Sequence, residues 1–163
     1  MIIIGIGANL KSDFYNSIIE ACETSLQLIK ENNIDVICQS SWYETEPIPA
    51  SSQSNFINGV VSVKTELSNL DLLKVLLLIE TKMGRRRSKK NAARVIDLDL
   101  IAYHDDIIES KVLTLPHPRL FQRAFVVKPI FEIAPDWRHP VLGVTIGALL
   151  PPLADQKIKQ LSC

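Results

Sequence analysis

Apolar residues along this chain recur in two rhythms, alternation in some stretches and a three-to-four-residue period in others, and their succession outlines the fold. The opening "MIIIGIGANL" reads as a buried first strand. Ser12 or Asp13 then caps a helix over residues 13 to 32, in which Ile18, Cys22, Leu26 and Ile29 keep helical spacing until Asn32-Asn33 ends it. "IDVICQSSWYET" predicts a second strand and "EPIPASSQS" a loop. "NFINGVVSVKTEL" predicts a third strand beside the second, with Phe56, Asn58, Val60 and Ser62 on one side and Ile57, Val61 and Val63 on the other. Ser68 or Asn69 begins another long helix, "LDLLKVLLLIETKM", which Gly84 stops. "RVIDLDLIAY" is then a strand, and "IIESKVLTL" holds a short one. Pro116, Pro118, Pro129, Pro135 and Pro140 keep the remainder irregular, with short helices at "RLFQRAFVV" and "TIGALLPPL". The order βαββαβ predicts an α+β sandwich, a mainly antiparallel sheet with both long helices on one face. Without repeats or linker-like stretches, residues 1–163 are expected to form one domain.

Composition narrows the class. The chain is 47% hydrophobic and 22% charged, a globular balance that fills a core without staples. No segment approaches the roughly 20 apolar residues of a membrane span, and the opening lacks the basic region of a signal peptide. Cys22, Cys38 and Cys163 follow neither C-x-x-C nor zinc-ligand spacing, so free thiols in a reducing cytoplasm are expected. A formal net charge of +0 argues against a surface built for nucleic acid or anionic lipid. The charge is uneven, however: "GRRRSKKNAAR", residues 84–94, carries six of the 18 basic residues and no acid.

This basic loop runs into "RVIDLDLI", where Asp97 and Asp99 interrupt a run of strand formers. Alternation puts both carboxylates on one face, roughly 6 to 7 Å apart, with Ile96, Leu98 and Leu100 on the other. Such neighbours repel unless water or a cation separates them. Magnesium, which takes carboxylates together with phosphates and water, is one resolution, and a wet strand face is the other. Arginine forks suit phosphate oxygens, so a cationic loop beside the acids favours a polyphosphate-and-metal site over a solvated turn. In "LPHPRLFQRAF", His117 lies between two prolines, and Arg119 and Arg123 share a side if that stretch is helical. Asn58 and Phe56 set an amide beside an aromatic plane, suited to a flat hydrogen-bonding heterocycle but equally at home in a core.

Taken together, "IGIGANL", "SSWYETEP", "FINGVV", "IETKMGRRR", "RVIDLDLI", "LTLPHPRLFQRAFVVKPIFEIAP" and "HPVLGVTIGALL" resemble, in order and spacing, the 6-hydroxymethyl-7,8-dihydropterin pyrophosphokinase family of folate biosynthesis. The resemblance implies a ferredoxin-like fold and transfer of diphosphate from ATP to the pterin's hydroxymethyl oxygen, leaving AMP. It implies that Asp97 and Asp99 hold two magnesium ions, that Arg85 and Arg94 grip the polyphosphate, and that Glu80, His117 and Arg123 serve the nucleotide. Thr45, Phe56, Asn58 and Phe125 are implied for the pterin. The chain differs from common family residues at Ala8, Glu46, Leu77 and Ala93. ATP and the pterin are the implied partners of a monomer that needs neither nucleic acid nor membrane; a ferredoxin-like nucleic-acid-binding module is the alternative.

Overall fold

A computed structural model describes residues 1–47, 52–85 and 93–161. Strand β1 (Ile2–Ala8) is the centre of the sheet. It pairs antiparallel with β4 (Phe56–Lys64) on one side and β5 (Asp97–Tyr103) on the other. Beyond β4 lie β2 (Asp35–Gln39) and β3 (Tyr43–Thr45), and a C-terminal strand completes the order β5-β1-β4-β3-β8, with β2 also on β4. This last strand, β8 (Ile158–Gln160), is absent from the pattern-based expectation because three half-polar edge residues leave little alternation to read. A separate hairpin joins β6 (Ile108–Glu109) to β7 (Thr114–Leu115). With β2 and β3 counted as one broken strand, the core is the expected ferredoxin-like βαββαβ arrangement.

Alternation along β1 divides the molecule into two cores. Ile2, Ile4, Ile6 and Ala8 face α1 (Ile18–Glu31) and α2 (Asn69–Lys82), whose Cys22, Leu26, Ile29, Leu72, Leu76 and Ile79 bury against them. Ile3 points to the opposite face, where α3 (Ala124–Ile133) brings Val126, Val127 and Ile130 over Val60 and Ile101. The two long helices therefore share one face, as expected. Tyr43 donates its hydroxyl to Glu132 at 2.7 Å, and Ser41 donates its N–H and hydroxyl to the same carboxylate at 3.0 and 2.8 Å, fixing α3 to the β3 side.

Several local expectations give way to competing chemistry. The first helix begins five or so residues later than expected: Ser17, not Ser12 or Asp13, caps α1, its hydroxyl accepting from Glu20 N–H at 3.0 Å. "SIIE" has capping-box spacing, though the Glu20 carboxylate accepts Asn16 N–H at 2.6 Å, and Ser12 instead closes a turn onto Phe14 N–H at 3.2 Å. The long second strand breaks between β2 and β3, where Ser40 accepts from Val60 N–H through its hydroxyl at 3.0 Å. Pro129 does not keep its segment irregular but lies inside α3, whose buried apolar face outweighs the ~3 kcal/mol proline penalty. The expected helix at "RLFQRAFVV" is a 3-10 turn (Leu120–Gln122) followed by α3, and "TIGALLPPL" forms two 3-10 turns. Cys22 and Cys38 are free thiols, while Cys163 lies outside the described residues.

The break also explains Gly59. A Cβ there would lie 2.7 Å from two ring carbons of Trp42, and the indole N–H is tied to Glu23 of α1 at 2.6 Å, so the ring has little freedom to retreat. Gly59→Ala is expected to cost about 1–3 kcal/mol through overpacking. A urea titration checks this: the midpoint should fall with the slope unchanged.

Candidate active site

On the α3 face, β1 presents Ile3, Gly5 and Gly7. Helix α3 covers the Ile3 end, and beyond it the two glycines leave the strand bare. The ladder sets Gly7 between Asp97 of β5 and Asn58 of β4, and Gly5 between Asp99 and Val60. Carboxylates and amide thus stand two strand spacings apart, roughly 10 Å, over a floor without side chains. The result is a cavity of about 400 Å³. Arg94, Asp97, Asp99, Arg119 and Arg123 line it on one side, and Thr45, Gln53, Phe56, Asn58 and Phe125 on the other.

Both acids project as alternation requires, with Leu98 and Leu100 in the opposite core. A β-bulge at Ile101, between the pairs Ile3–Ala102 and Ile4–Leu100, shifts the alternation by one past Asp99, so that Ala102 joins Ile101 on the α3 core. Asp97 accepts from Arg85 at 2.7 Å through one oxygen and from Arg94 through the other. Burial pushes the Asp99 carboxyl above the usual range and the charge of Asp97 adds to this, while Arg123, Arg94 and Arg119 oppose it. Two crowded carboxylates, one reluctant to ionise, fit a divalent cation that takes its remaining ligands from phosphate and water. Among the described residues no group of three or more His, Cys, Asp or Glu forms a full protein cage for a metal.

The other expected residues fall in distinct places. Glu80 does not line the cavity. It is 3% exposed, wedged between α2 and β5, where it accepts Leu98 N–H at 2.7 Å and pairs with Arg85. Burial pushes its carboxyl up to about 7 against the pull of that N–H and of Arg85. Arg85 therefore bridges Glu80 to Asp97 and steers one carboxylate oxygen. His117 is half-buried beside the cavity, its backbone N–H bonded to Ile101 C=O at 2.8 Å and its ring Nδ1 accepting from Arg119 backbone N–H at 3.3 Å. Burial, reinforced by Arg123 and Arg119, lowers its pKa to about 4 and keeps the ring neutral.

Arg123 and Phe125 flank the start of α3, with the guanidinium carbon 5.3 Å from the ring centroid. Gln156 holds this segment, accepting Ala124 N–H and donating to Gln122 C=O, both at 2.8 Å. Asn58 donates to Thr45 Oγ1 at 2.8 Å, and both residues are buried. Residues 86–92 of the basic loop lie outside the described residues, leaving Arg85 and Arg94 as its described arginines. Sequence reasoning missed the floor and several lining residues, among them Gln53, Gln122 and Arg119 as a site residue. The floor had a signal: "IGIGA" spaces two glycines by two in an otherwise isoleucine strand, which bares one face.

Acting together, these side chains can neutralise a polyphosphate while a flat molecule rests beside it, the task of a phosphoryl- or diphosphoryl-transferring kinase. Relatives make the class particular. The chain is 40% identical over 148 residues to 2-amino-4-hydroxy-6-hydroxymethyldihydropteridine pyrophosphokinase of Synechocystis, covering 91% of this chain and 73% of that one. To the protein of the same name in Haemophilus influenzae it is 35% identical over 160 residues, 98% and 96% of the two chains. Residues 3–135 match the 7,8-dihydro-6-hydroxymethylpterin-pyrophosphokinase family, and the chain belongs to it.

Longer proteins also contain this unit. Folic acid synthesis protein fol1 of Schizosaccharomyces pombe is 36% identical over 157 residues, which is 96% of this chain but 21% of that protein. The wild-type HPPK-DHPS crystal structure from Plasmodium falciparum, determined with STZ-DHP, matches with a TM-score of 0.72 at 16% identity, over 99% of this chain and 46% of that one. That likeness shows the fold. The chain thus spans about a fifth of one relative, under half of the other, and nearly all of the Haemophilus protein. None of these relatives supports the nucleic-acid-binding alternative, and among the described residues no helix is long and apolar enough to cross a membrane.

Proposed function

We propose that the cavity binds ATP and 6-hydroxymethyl-7,8-dihydropterin on its two sides and transfers diphosphate to the pterin's hydroxymethyl oxygen, releasing AMP. The observation that carries this is the bare β1 floor, which sets paired acids and a buried amide two strands apart on one face. Asp97 and Asp99 would hold magnesium, two ions in this reading, which supplies charge neutralisation at the phosphates. Arg85 and Arg94, which occupy Asp97 in the resting site, would turn part of their donor sets to phosphate oxygens, joined by Arg123. His117, neutral, would serve the nucleotide as an uncharged hydrogen-bonding ring. Glu80 would contribute by holding Arg85 and the Leu98 amide in place rather than by touching ATP. On the acceptor side, Phe56 and Phe125 would flank the ring while Asn58, oriented by Thr45, reads its edge. Positioning and charge neutralisation suffice for such a transfer, without a protein nucleophile.

Purified protein should form AMP from ATP only when magnesium and the pterin are both present, by chromatographic nucleotide analysis. AMP formation indifferent to the pterin would overturn the reading. The floor carries its own prediction. A Cβ at Gly7 would lie 3.2 Å from Asn58 Oδ1 and press on the acceptor side alone. Gly7→Ala is expected to raise the pterin KM about tenfold, roughly 1.4 kcal/mol, with the ATP KM changed less than about twofold.

A further inference from the structure

The GANL segment that follows the floor contains a buried polar side chain to which the mechanism assigns no task. Asn9 is 3% exposed. Its amide nitrogen donates to Gln53 Oε1 at 3.0 Å and to Ser54 C=O at 3.3 Å. Its amide oxygen accepts Arg94 N–H at 3.0 Å. The backbone completes the junction, with Asn9 N–H and Leu10 N–H donating to Arg94 C=O at 3.1 and 3.0 Å. One side chain therefore bonds, through opposite ends, to the segment leading into Phe56 and to the residue whose guanidinium holds Asp97. Only an amide supplies donor and acceptor at once in this volume; aspartate keeps the acceptor but turns an anion on Ser54 C=O, and alanine keeps neither.

We infer that Asn9 is a positioning residue that couples the acceptor side of the cavity to its phosphate side, so that ordering of one segment by its substrate is felt at the backbone of Arg94. This rests on the two-substrate reading above. A buried, fully bonded amide between two segments is a suitable conductor because its two ends cannot shift independently without leaving a polar group unpaired. A junction holding only one segment would stabilise the fold without linking the ligands. Here both are held.

The test measures linkage, which a purely structural role would not move. Pterin affinity is determined by calorimetry for the full chain with and without magnesium and a non-hydrolysable ATP analogue, and the ratio of the two constants is the coupling. Wild type is expected to bind pterin at least about fivefold more tightly with the nucleotide present. In Asn9→Asp that ratio should fall towards one, while nucleotide affinity alone changes less than about threefold. At saturating nucleotide the pterin KM should rise, whereas a loss of folded protein would lower kcat alone. Gln53→Ala, which removes one bond and leaves Asn9 in place, should show a smaller loss of the same kind and serves if Asn9→Asp does not fold. Coupling that is absent in wild type, or retained in the variants, overturns the inference while leaving the proposed activity standing. Wild type that binds no pterin at all overturns the activity itself, and the inference with it.

Discussion

Replacement of Asp97 by alanine is expected to abolish turnover, lowering kcat by at least about 10²–10³-fold, the scale of removing one preorganised electrostatic contact from a phosphoryl-transfer site. Asp97 accepts from Arg85 with one oxygen and Arg94 with the other, and it shares the strand face with Asp99. Its loss removes half of the carboxylate pair and leaves two guanidinium groups facing each other across the vacated position. Glu80 still holds Arg85, and Asp99 becomes easier to ionise because one source of its raised pKa is gone. The fold should persist, since Asp97 is half-buried at the strand's beginning and no core side chain depends on it. Steady-state AMP release measures the rate, and circular dichroism confirms the folded state. Near-wild-type turnover by a folded Asp97→Ala protein would remove the metal assignment.

The second large effect is expected at Arg94. In the resting site its guanidinium is paired with Asp97, and its backbone is bonded on both sides to Asn9 and Leu10. Alanine leaves those backbone bonds available and removes the guanidinium with its bond to Asp97. In the proposed reaction that charge counts most when negative charge shifts onto the departing phosphate oxygens, so Arg94→Ala should lower kcat about 10²-fold or more and weaken ATP binding less than about tenfold. A loss of ATP affinity with kcat unchanged would mean that Arg94 serves ground-state binding alone. Arg94→Lys separates charge from geometry, because an ammonium cannot reproduce a planar two-point grip. It should restore only part of the rate.

Much of the fold was legible because it depends on short-range pattern. Both long helices, the face of each acid on β5 and the split of β4 into Asn58 and Val61 faces followed from period alone, and Gly84 ends α2 with a φ of 87° as its position suggested. Misplaced boundaries had local competitors that outbid the first plausible residue: the Ser17 side-chain cap over Ser12, and buried apolar contacts over Pro129. The acid pair and the residues of the opposite cavity wall, Thr45, Phe56, Asn58 and Phe125, were also legible as a family pattern. Glu80 was legible by position, but its burial under β5 and its bond to Leu98 N–H were not, since no local pattern says what a helical glutamate meets across the core.

By itself, then, the sequence determined which residues alternate, which recur with helical period and which chemistry each stretch carries, because those properties follow from backbone geometry acting over a few neighbours. Only the tertiary structure decided that Asp97 and Asn58 face one another across Gly7, that Arg85 is shared between Glu80 and Asp97, and that Asn9 joins two distant segments. Those relations depend on strand order and register. They are chosen by burial of side chains far apart in the chain, which a one-dimensional pattern does not contain.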